Sequence, residues 1–226
     1  MDQDAMKRAA AAAALQHLPE AGVVGLGTGS TAKIFIDLVG ELVRGGRRLV
    51  GVPTSKASRA QAEALGVPLL PDDGPFEVDV CVDGADEVSD GLDLIKGGGG
   101  ALLREKIVNF AAKKNLIIVD ATKLSTRLGT TWAVPVEVAR FGHAATAAAL
   151  ARFGRPTLRL RDGAPFVTDQ GGLIYDVATG PIDDAADLER ALDAVPGVVE
   201  TGLFVGRADV VIVATPDGAR ERVRAR

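Results

Sequence analysis

Four loops in this 226-residue chain carry residues whose types and spacing suit chemistry on a small anion. The first reads Gly25-Leu-Gly27-Thr28-Gly29-Ser30-Thr31-Ala32; it follows an apolar strand and opens a helix. Backbone N–H groups at such a helix start hold an anion, aided by the helix dipole. Gly27, Gly29 and Ala32 also fit the dinucleotide pattern G-x-G-x-x-A. The next strand, however, ends Leu49-Val-Gly-Val-Pro53-Thr54-Ser55, without the acid that would hold a ribose hydroxyl. The hydroxyls of Thr28, Ser30 and Thr31 suit a small phosphate monoester better, and a plain glycine turn is the structural alternative.

The second loop is Val82-Asp83-Gly84-Ala85-Asp86-Glu87, with two acids just past an alternating strand. There they can orient hydroxyls or move protons between oxygens. A hard cation, or a solvated turn, would use the same residues. The third is Lys96-Gly97-Gly98-Gly99-Gly100, leading through Arg104-Glu105-Lys106 into a helix. Glycines permit close backbone approach and positive φ, and Lys96 can neutralise a developing oxyanion. Glu105 leans back toward the loop and lies off the Leu103, Ile107 and Phe110 stripe, which suits either a site or an exposed glutamate. In the fourth, Asp120-Ala-Thr-Lys123, Lys123 follows a buried strand at the same sheet edge as Thr28 and Asp83. Lys7 is a further phosphate candidate; His17, His143, Trp132 and Tyr175 read as structural.

The elements that must position these loops alternate. Helices are expected over Asp4–Leu18, Ser30–Val43, Ser55–Leu65 and Ala101–Lys114. Strands are expected near Gly22–Gly27, Arg48–Val52, Val67–Leu70, Val78–Val82, Asn115–Asp120 and Ala208–Ala214. This pattern implies a Rossmann-like α/β fold, an open, mostly parallel sheet flanked by helices. From about residue 130 the order becomes β-α-β-β-α-β, the split βαβ or ferredoxin-like arrangement. It has strands at Val134–Val138, Thr157–Arg161, Phe166–Thr168, Leu173–Val177 and Val198–Val205. Its helices are Ala144–Phe153 and Asp184–Ala194, the latter capped by Asp183. Residues 130–204 are thus read as an inserted small α+β domain, and 1–129 with 205–226 as the larger one. The tail from Arg220 to Arg226 reads as a solvated helix end.

Composition narrows the classes. Hydrophobic residues are 47% and charged residues 25%, enough for a real core and against disorder. The net charge of −4 offers no basic face for nucleic acid. One cysteine, Cys81, excludes an intramolecular disulfide and a cysteine cage, and two histidines leave little for a transition-metal site. No stretch approaches the ~18 apolar residues of a membrane helix, and the N-terminus lacks the form of a secretory signal. A cytoplasmic protein is expected.

Taken together, the loops resemble those of the type A ribose-5-phosphate isomerases. The resemblance rests on Gly27-Thr-Gly-Ser-Thr31, Val82-Asp-Gly-Ala-Asp-Glu87, Lys96-Gly-Gly-Gly-Gly100 and Arg104-Glu-Lys106. It extends through Asp120-Ala-Thr-Lys123, Val134-Pro-Val-Glu-Val138, Pro196-Gly-Val-Val199 and Thr215-Pro-Asp-Gly218, in order along both domains. It implies interconversion of ribose 5-phosphate and ribulose 5-phosphate by proton transfer through an enediol, with no cofactor and no metal. It also implies a sugar-phosphate partner and a homodimer, with a homotetramer as the alternative. By motif, Glu105 is the base, assisted by Asp83 and Lys96. Thr28, Gly29, Ser30, Thr31, Asp83, Gly84, Ala85, Asp86, Lys96, Gly97, Gly98, Gly99 and Lys123 bind substrate. A sugar-phosphate deaminase, a CoA transferase, a sugar-phosphate sensor and a nicotinamide-dependent dehydrogenase are the rival uses of such a scaffold.

Overall fold

The structure, a computed structural model, describes residues 3–224. In chain order it begins α1 (Gln3–Ala14), β1 (Ala21–Leu26), α2 (Ser30–Arg44), β2 (Arg48–Pro53), α3 (Lys56–Ala64) and β3 (Val80–Asp83). Next come β4 (Glu87–Val88), β5 (Leu94–Ile95), α4 (Leu102–Phe110), β6 (Asn115–Asp120), β7 (Val134–Val138) and α5 (His143–Leu150). Then follow β8 (Arg155–Leu158), β9 (Leu160–Arg161), β10 (Ala164–Pro165), β11 (Leu173–Ala178) and α6 (Ala185–Asp193). The chain closes with β12 (Val198–Thr201), β13 (Leu203–Phe204), β14 (Val210–Thr215) and β15 (Gly218–Val223).

Two compact units form. The first comprises Met1–Ala85, Arg104–Lys123 and Arg207–Arg226. Its sheet runs β15-β14-β6-β3-β1-β2, parallel except for β15. Strand alternation sorts the side chains. Val24, Leu26, Val80, Val82, Leu116, Ile118, Val210 and Ile212 join one core with Ala10, Ala11 and Ala14 of α1 and Phe35, Ile36 and Val39 of α2. Cys81 instead joins Val52, Val78 and Val108, so α4 packs with different partners from α1 and α2. Ala10, Ala11 and Ala14 of α1 are fully buried, and their small size lets the helix approach the sheet closely.

The second unit comprises Asp86–Leu103 and Leu124–Gly206. Its antiparallel sheet runs β12-β7-β11-β8, with α5 and α6 filling the two crossovers of a split βαβ arrangement. The core is Val134, Val136, Val138, Leu150, Tyr175, Val177 and Leu192. A hairpin joins β9 to β10 through Asp162 and Gly163, both at positive φ, which two-residue hairpin turns require. Asp86–Leu103, which the sequence reading kept with the larger domain, falls in this unit because β4 and β5 pair with each other and β5 with β13.

Several local expectations are corrected. The tail is a strand, not a helix end: Gly218–Val223 pairs antiparallel with β14, and Ala225 and Arg226 lie outside the described residues. Charged Arg220, Glu221 and Arg222 give it no apolar alternation, yet suit an edge strand. Val67–Leu70 makes only one bridge, Gly51 with Leu69. Helix α1 ends at Ala14, and a 3₁₀ turn, Leu15–His17, carries the chain to Pro19. Helix α4 stops at Phe110 because Ala111 O and Lys113 N bond to Val78 instead of extending it. Asp184, not Asp183, caps α6, accepting from Asp187 N at 2.9 Å. Asp183 pairs with Arg127.

Candidate active site

In the first unit, the strand order reverses between β1 and β3: the chain leaves β1 sideways to β2, then crosses back past β1 to β3. In open α/β sheets the ligand crevice lies outside the carboxyl ends of strands at such a switch point. Two of the predicted loops emerge there. Gly27 N donates to Val82 O at 3.0 Å. The Asp83 carboxylate, 3% exposed, accepts from Thr28 N at 2.9 Å and Gly84 N at 2.7 Å. A Cβ on Gly27 would lie 2.2 Å from Asp83 Oδ1 and 2.6 Å from its Cα, so this approach requires glycine.

The hydroxyls of the first loop divide. Thr28 Oγ1 is tied inward, sharing hydrogen bonds with Thr54 Oγ1 at 2.7 Å and Ser55 Oγ at 2.9 Å. Ser58 Oγ completes the cluster by donating to Gly27 O at 2.7 Å. The sequence reading missed Thr54, Ser55 and Ser58; the signal available was a serine just before α3, whose Oγ caps the helix by accepting from Ser58 N at 3.1 Å. Gly29 sits at φ +115°, and Ser30 and Thr31 begin α2. Ser30 opens on a cavity of about 620 Å³ lined also by Lys7, Arg8 and Lys33. The structure thus joins the helix start to Lys7 and to two cations that the sequence reading did not single out. Lys123 follows β6 in a 3₁₀ turn, Ala121–Lys123, at the same edge.

Helix α4 overturns the stripe reading. Ile107 is 49% and Phe110 78% exposed, whereas Glu105 is 3% exposed. The buried direction is set by Val108, whose Cγ1 lies 2.9 Å from the position of a Gly25 Cβ. Gly25 pairs with Cys81. The helix's carboxyl end lies beside Val78, so it runs antiparallel to β3. Glu105, one turn before Val108 on the same face, is therefore carried toward the ends of β1 and β3, where Asp83 sits. Its neighbour Arg104 is held by Asp72, which also pairs with Arg59. Burial pushes the Asp72 carboxyl up, but the two guanidinium partners outweigh it and hold the carboxyl below its ordinary range.

The second unit carries Asp86, Lys96, Gly97, Gly98 and Gly99 in one cluster. Glu87 pairs with Ile95 across β4 and β5, which sets Asp86 beside Lys96. Asp86 N donates to Ile95 O at 2.9 Å, and Asp86 Oδ2 accepts from Gly98 N at 2.7 Å. Lys96 is 3% exposed; its N donates to Gly202 O at 2.8 Å, and its Nζ lies 5.5 Å from the Phe204 ring centroid, a cation–π contact. Gly97 (φ +102°) and Gly100 (φ +83°) occupy backbone that favours glycine, closed by Gly100 N donating to Gly97 O at 2.9 Å. Arg159, another residue the sequence reading missed, holds this loop from behind. Glu87, fully buried, accepts from Gly129 N and Thr131 N at 2.9 and 3.0 Å. Among the described residues no three His, Cys, Asp or Glu side chains converge as metal donors, and no helix is long and apolar enough to cross a membrane.

The first unit is an open α/β sheet with a buried acid at its switch point, and the second unit carries a glycine loop next to a buried lysine; each is a feature of an α/β enzyme. Comparison with known proteins is specific. The model of the family "Ribose 5-phosphate isomerase A (phosphoriboisomerase A)" matches residues 50–218. A ribose-5-phosphate isomerase A from Rhodopseudomonas palustris (strain BisB18) is 50% identical over 228 residues, covering 97% of this chain and 98% of its own. The solved isomerase A of Methanocaldococcus jannaschii superposes with a TM-score of 0.93 at 37% identity, covering 98% of this chain and all of that one. A D-ribose-5-phosphate isomerase solved in complex with phospho-erythronic acid gives 0.95 at 39%, covering 99% and 100%. The chain belongs to the ribose 5-phosphate isomerase A family.

Proposed function

We propose that this chain interconverts D-ribose 5-phosphate and D-ribulose 5-phosphate by proton transfer through an enediolate. The observation that carries the reading is the burial of Glu105, one turn before Val108 on the side of α4 that packs on the sheet. The isomerisation needs one base to take the C2 proton and return it to C1. It also needs a proton moved from O2 to O1, and donors for the oxygen that is negative in between. Glu105 is the base in this reading. Asp83, fixed by two backbone N–H groups, moves the hydroxyl proton and assists ring opening. Lys96 and the glycine-loop amide of Gly99 receive the oxyanion, Gly97 and Gly98 shape that loop with the Gly98 N–H holding Asp86, and Gly84, Ala85 and Asp86 order the sugar hydroxyls. Thr28, Gly29, Ser30 and Thr31 at the start of α2, with Lys123, take the phosphate. The complex of a relative with phospho-erythronic acid supports this chemistry, since that acid's planar carboxylate copies the charge and shape of an enediolate.

The same reading makes the protein a cytoplasmic homo-oligomer, dimer or tetramer, and the exposed Ile107 and Phe110 supply apolar surface for that assembly. The test is turnover of ribose 5-phosphate in heavy water with a chelator present. Ribulose 5-phosphate carrying some deuterium at C1 is expected. Glu105→Gln keeps size but removes the acceptor, and should lower kcat by about 10²–10⁴-fold. A folded variant with near-normal turnover, or activity abolished by the chelator, overturns the mechanism.

A further inference from the structure

The glycine loop is held from behind by a side chain with no counterpart in the motifs. Arg159 lies where β8 gives way to β9, its backbone fixed by N–H donation to Ile174 O at 2.8 Å and by Phe166 N donating to its O at 2.9 Å. Two edges of its guanidinium are engaged by Asp176: Nε donates to Oδ2 at 3.0 Å, and Nη2 pairs with Oδ1. This fork-on-fork geometry fixes the plane of the guanidinium. The remaining nitrogen, Nη1, donates to Gly97 O at 2.7 Å and to Gly98 O at 3.2 Å.

In a trans peptide the N–H points opposite to the C=O. Drawing the Gly97 carbonyl toward Arg159 therefore turns the Gly98 N–H the other way, onto Asp86 Oδ2 at 2.7 Å. Drawing the Gly98 carbonyl the same way turns the Gly99 N–H away from Arg159 too. Gly98 and Gly99 are both exposed, and among the described residues the backbone network gives the Gly99 N–H no acceptor. Glycines alone would leave these peptide planes free to rotate.

We propose that Arg159, locked by Asp176, is a positioning residue for the isomerisation: it orients two consecutive peptide planes so that the Gly98 N–H holds Asp86 and the Gly99 N–H faces the substrate's developing oxyanion. The proposal rests on the isomerase reading above. Such preorganised donors act on the transition state more than on the bound substrate.

The test compares Arg159→Met, Arg159→Lys and Asp176→Asn with wild type. In the two Arg159 variants kcat should fall about 10- to 100-fold, with KM for ribose 5-phosphate changing far less. The inhibition constant of phospho-erythronic acid should weaken in step with kcat/KM. Lysine cannot grip Asp176 and two carbonyls at once, so Arg159→Lys should not rescue. Asp176→Asn should give a smaller loss of the same kind. Added guanidinium should restore part of the activity of a smaller variant, Arg159→Ala. If folded Arg159 variants keep wild-type kcat and inhibitor affinity, or if activity falls only with the folded fraction while the Asp176 variant is normal, the proposal is overturned. A wild-type protein inert toward ribose 5-phosphate would instead overturn the isomerase reading.

Discussion

Gly98→Ala isolates one hydrogen bond in the proposed machinery. Gly98 does not lie in the positive-φ region, so its backbone accepts alanine. The obstacle is local: the new Cβ would stand 2.7 Å from Asp86 Oδ1 and 3.0 Å from both Cγ and Oδ2. The carboxylate must swing aside, breaking its 2.7 Å bond from Gly98 N. A hydrogen bond to a charged group contributes about 1.5–3 kcal/mol. If the bond orders the site for the transition state, kcat/KM should fall about 10- to 150-fold. Gly98 is exposed, so circular dichroism should be unchanged, while loss of the same bond should lower Tm by about 3–12 °C. The double variant decides the cause. Once Asp86→Ala has removed the carboxylate, adding Gly98→Ala should change kcat/KM by less than about 3-fold, because the clash has no partner. A Gly98→Ala enzyme with wild-type turnover refutes the reasoning. So does a double variant whose loss is the product of the two single losses.

Two further outcomes concern the second unit. Burial pushes the Glu137 carboxyl above its ordinary 4.5; the Thr168 hydroxyl opposes this, and Glu200 and Asp169 add to it. A raised folded-state value means that its contribution to stability is full below pH 4.5 and is lost as pH rises through the folded value. Glu137→Gln can still accept from Thr168, so it should unfold at higher temperature than wild type near pH 7, the gap closing in acid; a pH-independent gap in thermal melts contradicts this. Asp184→Ala should cost about 1 kcal/mol through loss of the α6 cap, lowering Tm by about 2–4 °C, while Asp183→Ala should leave it nearly unchanged.

The parallel sheet was legible because its strands are buried on both faces and read as apolar runs, Asn115–Asp120 most clearly. The two loops at the β1 and β3 ends were legible because glycine, hydroxyl and acid cluster just past those runs. What was not legible depends on partners distant in sequence. Nothing near Arg159 in the chain marks it as a support for Gly97, 62 residues away. Thr54, Ser55 and Ser58 gain their meaning only when parallel pairing lays β2 beside β1. The strand β15 is charged along its length and exists because β14 offers it an edge. The membership of Asp86–Leu103 in the second unit likewise hangs on Leu203 and Phe204 pairing back to Leu94 and Ile95.

Helix α4 shows how hydrophobic periodicity can mislead. The rule that apolar stripes face the core assumes that burial free energy alone orients a helix. Here Val108 and Leu102 are buried, and the direction they set also buries Glu105, Lys106 and Asn109, while Ile107 and Phe110 turn out to solvent. Exposing two large apolar side chains forgoes a few kcal/mol, and burying a carboxylate opposes folding further. Both penalties are met if the helix is turned to hold the Glu105 carboxylate inward, as the proposed function requires, and Phe110 keeps one partner in that orientation, the Arg207 guanidinium 5.6 Å from its ring centroid.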